Sequence, residues 1–112
     1  MNAGDRAERI AAAYLEDKGL AVLESRYRCR WGEIDLILRD RDTLVFAEVR
    51  LRRSKAFGGA AYSVDRRKQA RIVATARHYL AGMREAACRF DVVLLDGLEP
   101  PRIEWIRDAF SA

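Results

Sequence analysis

Two apolar runs, GEIDLILR and LVFAEVRL, stand on either side of the four residues DRDT. Each run is about the length of one strand, and the polar tetrapeptide between them supplies the turn of an antiparallel hairpin. Taking Asp40 to Thr43 as the loop sets Arg39 opposite Leu44. Ile34, Leu36 and Leu38 then share one surface with Val49, Ala47 and Val45, which is wholly apolar and belongs to a core. The other surface pairs Ile37 with Phe46 near the turn, then Asp35 with Glu48, then Glu33 with Arg50.

That second surface needs a physical explanation. Directly opposed residues in such a pair have Cβ atoms about 5 Å apart, and like charges there are destabilising. At an effective dielectric near 20, two carboxylates at that distance repel by roughly 3 kcal/mol. Glu33 opposite Arg50 is an ordinary cross-strand ion pair. Asp35 opposite Glu48 is not, and three arrangements relieve it. A divalent cation binds carboxylate oxygens together with water and phosphate. A shared proton raises one pKa. An exposed sheet edge leaves each acid solvated or held by a neighbouring Arg.

Elsewhere the apolar spacing predicts a helix from Asp5 to Lys18, with Ala7, Ile10, Ala11 and Tyr14 inward and Gly19 as its stop. Residues 20–29 read as a strand, and Arg30, Trp31 and Gly32 turn the chain into the hairpin. SKAFGGA is a glycine-containing loop. Asp65 can cap a second helix reaching to about Leu80, with Gln69, Ile72, Val73, Ala76 and Leu80 inward. Arg89 to Asp96 form a buried strand, and Pro100 and Pro101 precede a short strand, Ile103 to Ile106, and a terminal turn. The order is helix, three strands, helix, one or two strands: an α/β layer protein, with residues 1–112 as one domain.

Charge points towards nucleic acid without requiring it. The chain carries net +4, and 18 of its 21 basic residues are Arg, whose planar fork matches phosphate oxygens. A GC-rich genome yields the same bias. The outer face of the second helix, with Arg66, Arg67, Lys68, Arg71 and Arg77, suits solvent as well as phosphate. Cys29 and Cys88 lack metal-site spacing and read as free thiols. Charges occupy the start where an export signal has an apolar run, and no stretch approaches the roughly 20 apolar residues of a membrane span. The expectation is a cytoplasmic protein with no membrane partner.

GEIDLI, LVFAEVRLRRS, FGGAAYSVDRRKQ, HYL, RFDVV and the terminal AF, in that order, resemble the YraN-like family of small bacterial proteins. That family is similar to the restriction-endonuclease-like, PD-(D/E)xK nucleases, near the Holliday junction resolvases. The resemblance implies an αβββαβ core, a central mixed sheet flanked by helices with an acidic site on a bent hairpin. It implies Mg²⁺- or Mn²⁺-dependent hydrolysis of DNA phosphodiesters, with branched or structured DNA as the substrate and a homodimer as the working form. Carried over to this chain, Asp35 and Glu48 match the superfamily's Asp and the acid of its ExK motif. Glu8 matches a helical Glu that completes the site, and the Val49 carbonyl is a further metal ligand. Arg52, Arg53, Lys55, Arg66, Arg67, Lys68 and Arg71 would then engage backbone phosphates.

Arg50 departs from the pattern, which has Lys there. Lys can shed its proton and serve the attacking water, whereas Arg stays charged. Arg50 could neutralise charge on the phosphate, and Lys68 or Lys55 could reach in as a substitute amine. The same departure also suits a nucleic-acid-binding protein that has lost catalysis. An assembly protein reusing the fold is the remaining alternative. His78 reads as a surface or satisfied helical residue, and Trp31 and Trp105, which could stack bases, read by default as packing at the sheet margins.

Overall fold

The computed structural model describes residues 2–52 and 64–112. In chain order these form α1 (Ala3–Asp17), β1 (Ala21–Cys29), β2 (Gly32–Asp40), β3 (Thr43–Arg52), α2 (Arg66–Leu80), β4 (Ala87–Asp96) and β5 (Arg102–Phe110). The five strands make one sheet in sequence order. Every neighbouring pair is antiparallel except β3 and β4, which run parallel with α2 in the connection between them.

Alternation along the strands splits the core in two. Leu36, Leu38, Val45, Ala47, Val93 and Leu95 pack with Ala7, Ala11 and Leu15 of α1. Ile37, Phe46, Phe90, Val92 and Leu94 pack with Ile72 and Ala76 of α2. Each helix therefore covers one face of a mixed sheet, an α/β architecture compatible with a restriction-endonuclease-like core. β4 is buried on both faces from Phe90 to Leu95, as expected of a strand between a parallel and an antiparallel neighbour.

Local capping explains where the helices begin. Asn2 accepts the Asp5 N–H at 2.8 Å, so α1 starts two residues before the predicted Asp5. Asp65 accepts the Lys68 N–H at 2.8 Å, the predicted cap of α2. Gly19 has φ +98°, a conformation that ends α1 and is favourable only for glycine. Thr75 rather than Gln69 completes the buried stripe of α2, with Ile72 and Ala76. The Gln69 amide instead donates to the Val64 carbonyl at 2.6 Å.

Three expectations are corrected. β5 runs nine residues to Phe110, beyond the predicted stop at Ile106. The β4–β5 register shifts between Phe90 and Val92, and Asp108 takes φ +52°. That bulge lets the strand continue until Phe110 stacks on Phe90 at 5.0 Å. Ile34 does not share a surface with Leu36 and Leu38; it joins the cluster under α2. Both are even-numbered, so β2 changes face between them, at Asp35. Trp105 packs against the α1 side of the core, whereas Trp31, in the β1–β2 turn, is 47% exposed with Arg30 over its ring and does not pack as expected. Cys29 and Cys88 are free thiols. Among the described residues no helix is long and apolar enough to cross a membrane.

Candidate active site

The hairpin of β2 and β3 is regular at its turn and irregular at its open end. Predicted and observed registers agree from Asp40 opposite Thr43 to Leu36 opposite Ala47, where the ladder stops. On the other side of β2 the pairing with β1 passes from Ser25–Leu36 to Tyr27–Ile34, skipping Arg26, which has φ +53°. Asp35 thus sits where β2 loses regular pairing with both neighbours. Its Oδ2 accepts the Val49 N–H at 2.8 Å, a side chain standing in for a strand.

This distortion brings Asp35 and Glu48 together. Their carboxyl groups are within hydrogen-bonding contact, and Glu48 is only 6% exposed. Burial, then the Glu48 charge and the Glu48 hydrogen bond, push the Asp35 carboxyl up to about 7. The Val49 N–H pulls the other way and does not prevail. At neutral pH the pair is poised between holding a proton and holding a positive charge.

Two cations approach Glu48 from different elements. Lys68 Nζ, on the first turn of α2, lies 3.3 Å from Glu48 Oε2. Arg50 Nε lies 3.7 Å from the same oxygen and is buried without a hydrogen-bond partner. The predicted Glu33–Arg50 pair is not formed. Glu33 instead accepts from Arg28 Nε at 3.2 Å, its neighbour across β1. The reason is the splayed hairpin end, which leaves β1 closer to Glu33 than β3 is. Cys29 opposite Gly32 closes this second hairpin over Arg30 and Trp31, so the tight turn already placed Arg28 beside Glu33.

Glu8, on α1, lies within electrostatic reach of Asp35 and Glu33. With burial as the larger cause, these charges raise its carboxyl to about 7, against the pull of Arg28. Its Oε1 accepts from Arg26 Nε at 2.9 Å, and Arg26 also bridges to Asp5. Among the described residues no three His, Cys, Asp or Glu side chains converge on one point. The donor set is therefore two carboxylates, with Glu8 at the margin. Two carboxylates suit Mg²⁺, which keeps several waters and binds substrate phosphate rather than a full protein cage. The hard oxygen donors and the strained acid pair fit such an ion.

The basic residues separate into groups. Arg66, Arg67 and Arg71 are exposed on α2. Lys68 and Arg71 line a groove of about 370 Å³ beside the acid pair, together with Arg28 and Gly32. Arg52 is held elsewhere: its Nε and Nη2 bond both Asp96 oxygens at 2.8 and 2.9 Å, with the side chain 17% exposed. Such a bidentate pair engages the fork that phosphate would use. Arg53 and Lys55, and the glycine-containing loop, lie outside the described residues.

Sequence reasoning missed a second acid. Asp91 is wholly buried and accepts from Arg89 Nε at 3.0 Å, Trp105 Nε1 at 2.9 Å and the Asp108 N–H at 2.9 Å. The available signal was an Asp inside the apolar run RFDVVLLD, where a buried carboxylate needs donors.

A mixed sheet with one helix on each face, bearing an acid pair where its central hairpin splays, defines a class of small α/β proteins with a site at a strand bend. Residues 7–95 match the uncharacterised protein family UPF0102, the YraN-like family, and the chain belongs to it. It is 56% identical over 111 residues to a UPF0102 protein of Nitrosomonas europaea, covering 98% of this chain and 94% of that protein. A relative in Nitrosospira multiformis is 54% identical over 109 residues, covering 96% and 92%. One in Pseudomonas aeruginosa is 47% identical over 115 residues, covering 97% and 92%.

Proposed function

We propose that this protein is a metal-dependent endonuclease that hydrolyses DNA phosphodiester bonds, a member of the restriction-endonuclease-like superfamily related to Holliday junction resolvases. The observation that carries the reading is the contact of Asp35 with Glu48 inside a sheet. Lys68 and Arg50 beside Glu48 offset part of that repulsion, and a shared divalent cation would offset the rest. Branched DNA is the substrate favoured by the resolvase likeness, and the described residues include no separate reading element that would direct cleavage to one sequence.

Asp35 and Glu48 would hold Mg²⁺ or Mn²⁺, with the Val49 carbonyl and Glu8 as the further ligands the likeness assigns. Bound there, the ion supplies charge stabilisation at the phosphate and a water of lowered pKa. The chain's own residues do the rest. The Val49 N–H orients Asp35 so that its other oxygen stays available. Arg50 brings a permanent positive charge beside Glu48 and balances negative charge gathering on the phosphate, but it accepts no proton. Arg66, Arg67 and Arg71 steer and seat the backbone, which positions the substrate and reads no sequence.

Labelled linear, flap and four-way-junction DNA, incubated with Mg²⁺ or Mn²⁺, tests the proposal. Cleavage should appear with the wild type and fall at least ~100-fold in Asp35→Ala and in Glu48→Ala, both remaining folded. Equal activity in all three proteins assigns the cleavage to another site or another protein. Arg50 favours one alternative, a nucleic-acid-binding protein without catalysis. Junction binding that weakens steeply with salt, with no cleavage in either metal, selects it.

A further inference from the structure

Glu48 has two cations and one acid for neighbours, and the two cations differ in kind. Arg50 extends from the same strand as Glu48, two residues on, and its Nε is buried. Lys68 comes from the α2 layer and is 41% exposed. Only the base of Lys68 is fixed, by the bond from its backbone N–H to Asp65. Four carbons separate that anchor from the ammonium, so the head can swing while the helix stays in place.

Lys68 also stands at a border. On one side its ammonium touches Glu48 Oε2 at 3.3 Å. On the other it lines the groove of about 370 Å³ that contains Arg28 and Arg71. The Arg28 charge is already matched by Glu33 at 3.2 Å, which leaves Lys68 and Arg71 as the cations available to an anion there. Gly32 lets β2 approach α2 at this point: a Cβ on it would lie 3.2 Å from Thr75 Oγ1. This close approach sets the α2 cations Lys68 and Arg71 at the edge of β2, where they line the groove.

A divalent ion held by Asp35 and Glu48 would draw on the same Glu48 carboxylate that Lys68 now contacts. Two positive centres cannot share it at contact distance without strong repulsion. We infer that Lys68 is an internal counterion of the acid pair, yielding Glu48 to an incoming divalent cation and turning its ammonium towards a phosphate in the neighbouring groove. This rests on the reading of Asp35 and Glu48 as a cation site. It gives Lys68 two parts, a counterion of Glu48 before the cation binds and a phosphate contact afterwards.

The test begins without metal. A double-mutant cycle on Glu48→Gln and Lys68→Met, read as urea midpoints in EDTA at pH 8, should show coupling between the two residues. Mn²⁺ titration by electron paramagnetic resonance then compares wild type, Lys68→Met and Lys68→Arg. Losing the competing charge should tighten Mn²⁺ binding about three- to tenfold in Lys68→Met, and Lys68→Arg should stay near wild type. A residue that merely supported the fold would weaken binding or leave it unchanged. Cleavage kinetics add the second half: Lys68→Met should lower kcat with little change in KM, and Lys68→Arg should recover part of it.

Zero coupling in EDTA overturns the inference. So does Mn²⁺ affinity in Lys68→Met equal to or below wild type, and in a wild type that binds Mn²⁺ and cleaves DNA that result leaves the nuclease reading standing. Tighter Mn²⁺ binding in Lys68→Met from a protein that cleaves nothing supports the counterion and removes the nuclease. If no variant binds Mn²⁺, both fall together.

Discussion

Asp91 on β4 and the Asp35–Glu48 pair on β2 and β3 are acids inside the same sheet, and Asp91 lies beside Ala47, the residue next to Glu48. Asp91 sits under α1 with Trp105 and is surrounded by donors: a guanidinium, an indole N–H and a backbone N–H. Asp35 and Glu48 face each other at the splayed end of the hairpin, with one backbone donor between them. The first arrangement is complete in itself and rigidifies the β4–β5 bulge. The second has few hydrogen-bond donors and leans on the charges of Lys68 and Arg50 beside Glu48, which a bound cation would supplement or replace. Burial of an acid does not separate structure from function here; the supply of donors does.

The sharpest way to break that contrast is to remove each acid and measure stability. Asp91→Ala leaves the Trp105 and Asp108 N–H groups without their acceptor and strips Arg89 of one of two carboxylates, the other being Asp40 at 2.9 Å. A loss of about 3–4 kcal/mol in urea denaturation is expected. Asp35→Asn should stabilise the metal-free protein instead. If both substitutions cost the same, the two sites are not different in kind.

The pH dependence sharpens the same point. The Asp35 carboxyl is raised in the folded state, from an ordinary 3.8 to about 7, first by burial and then by Glu48. Below about 4 both folded and unfolded chains carry the proton, so the group adds no slope. Between about 4 and 7 the unfolded chain ionises first, and stability falls as pH rises. Above about 7 the full penalty is present. Asp35→Asn in EDTA should therefore gain on the order of 2 kcal/mol over wild type at pH 8 and almost nothing at pH 4. A gain that is constant with pH would assign it to packing rather than charge.

Much of this layout was legible in the sequence, for identifiable reasons. Alternation and a short polar turn pin the β2–β3 register, because a slip by one residue would turn Leu36 and Leu38 out of the core. Asp65 and Gly19 mark helix ends by local chemistry alone. What escaped depended on a third element. The hairpin alone pairs Glu33 with Arg50, but the tight turn of β1 brings Arg28 to it. Strict alternation puts Ile34 with Leu36 and has no place for the change of face at Asp35. The last residues of β5 depend on Asp91, seventeen positions earlier than Asp108, which no local pattern announces. The approach of Lys68 to Glu48 required knowing which helix residue abuts the open hairpin end, which periodicity does not tell.

The smallest expected effect concerns Arg50, and it separates two accounts of the acid pair. Arg50 Nε is buried without a hydrogen-bond partner and touches Glu48 only as a charge, at 3.7 Å. Arg50→Lys therefore forfeits no hydrogen bond at that nitrogen and should change stability by less than about 1 kcal/mol. A lysine there keeps the charge beside Glu48 and adds a group able to give up its proton to solvent or take one from water. Initial rates of junction cleavage in Mn²⁺ should rise about three- to tenfold, well short of the full worth of a general base, because Lys68 at the groove edge already brings one amine to the site. The gain should be larger in Lys68→Met, where position 50 would hold the only amine beside Glu48 among the described residues. A fall in rate as deep as that of Asp35→Ala would mean the guanidinium itself is part of the machinery, and the acid pair would then depend on a fixed charge rather than a mobile proton.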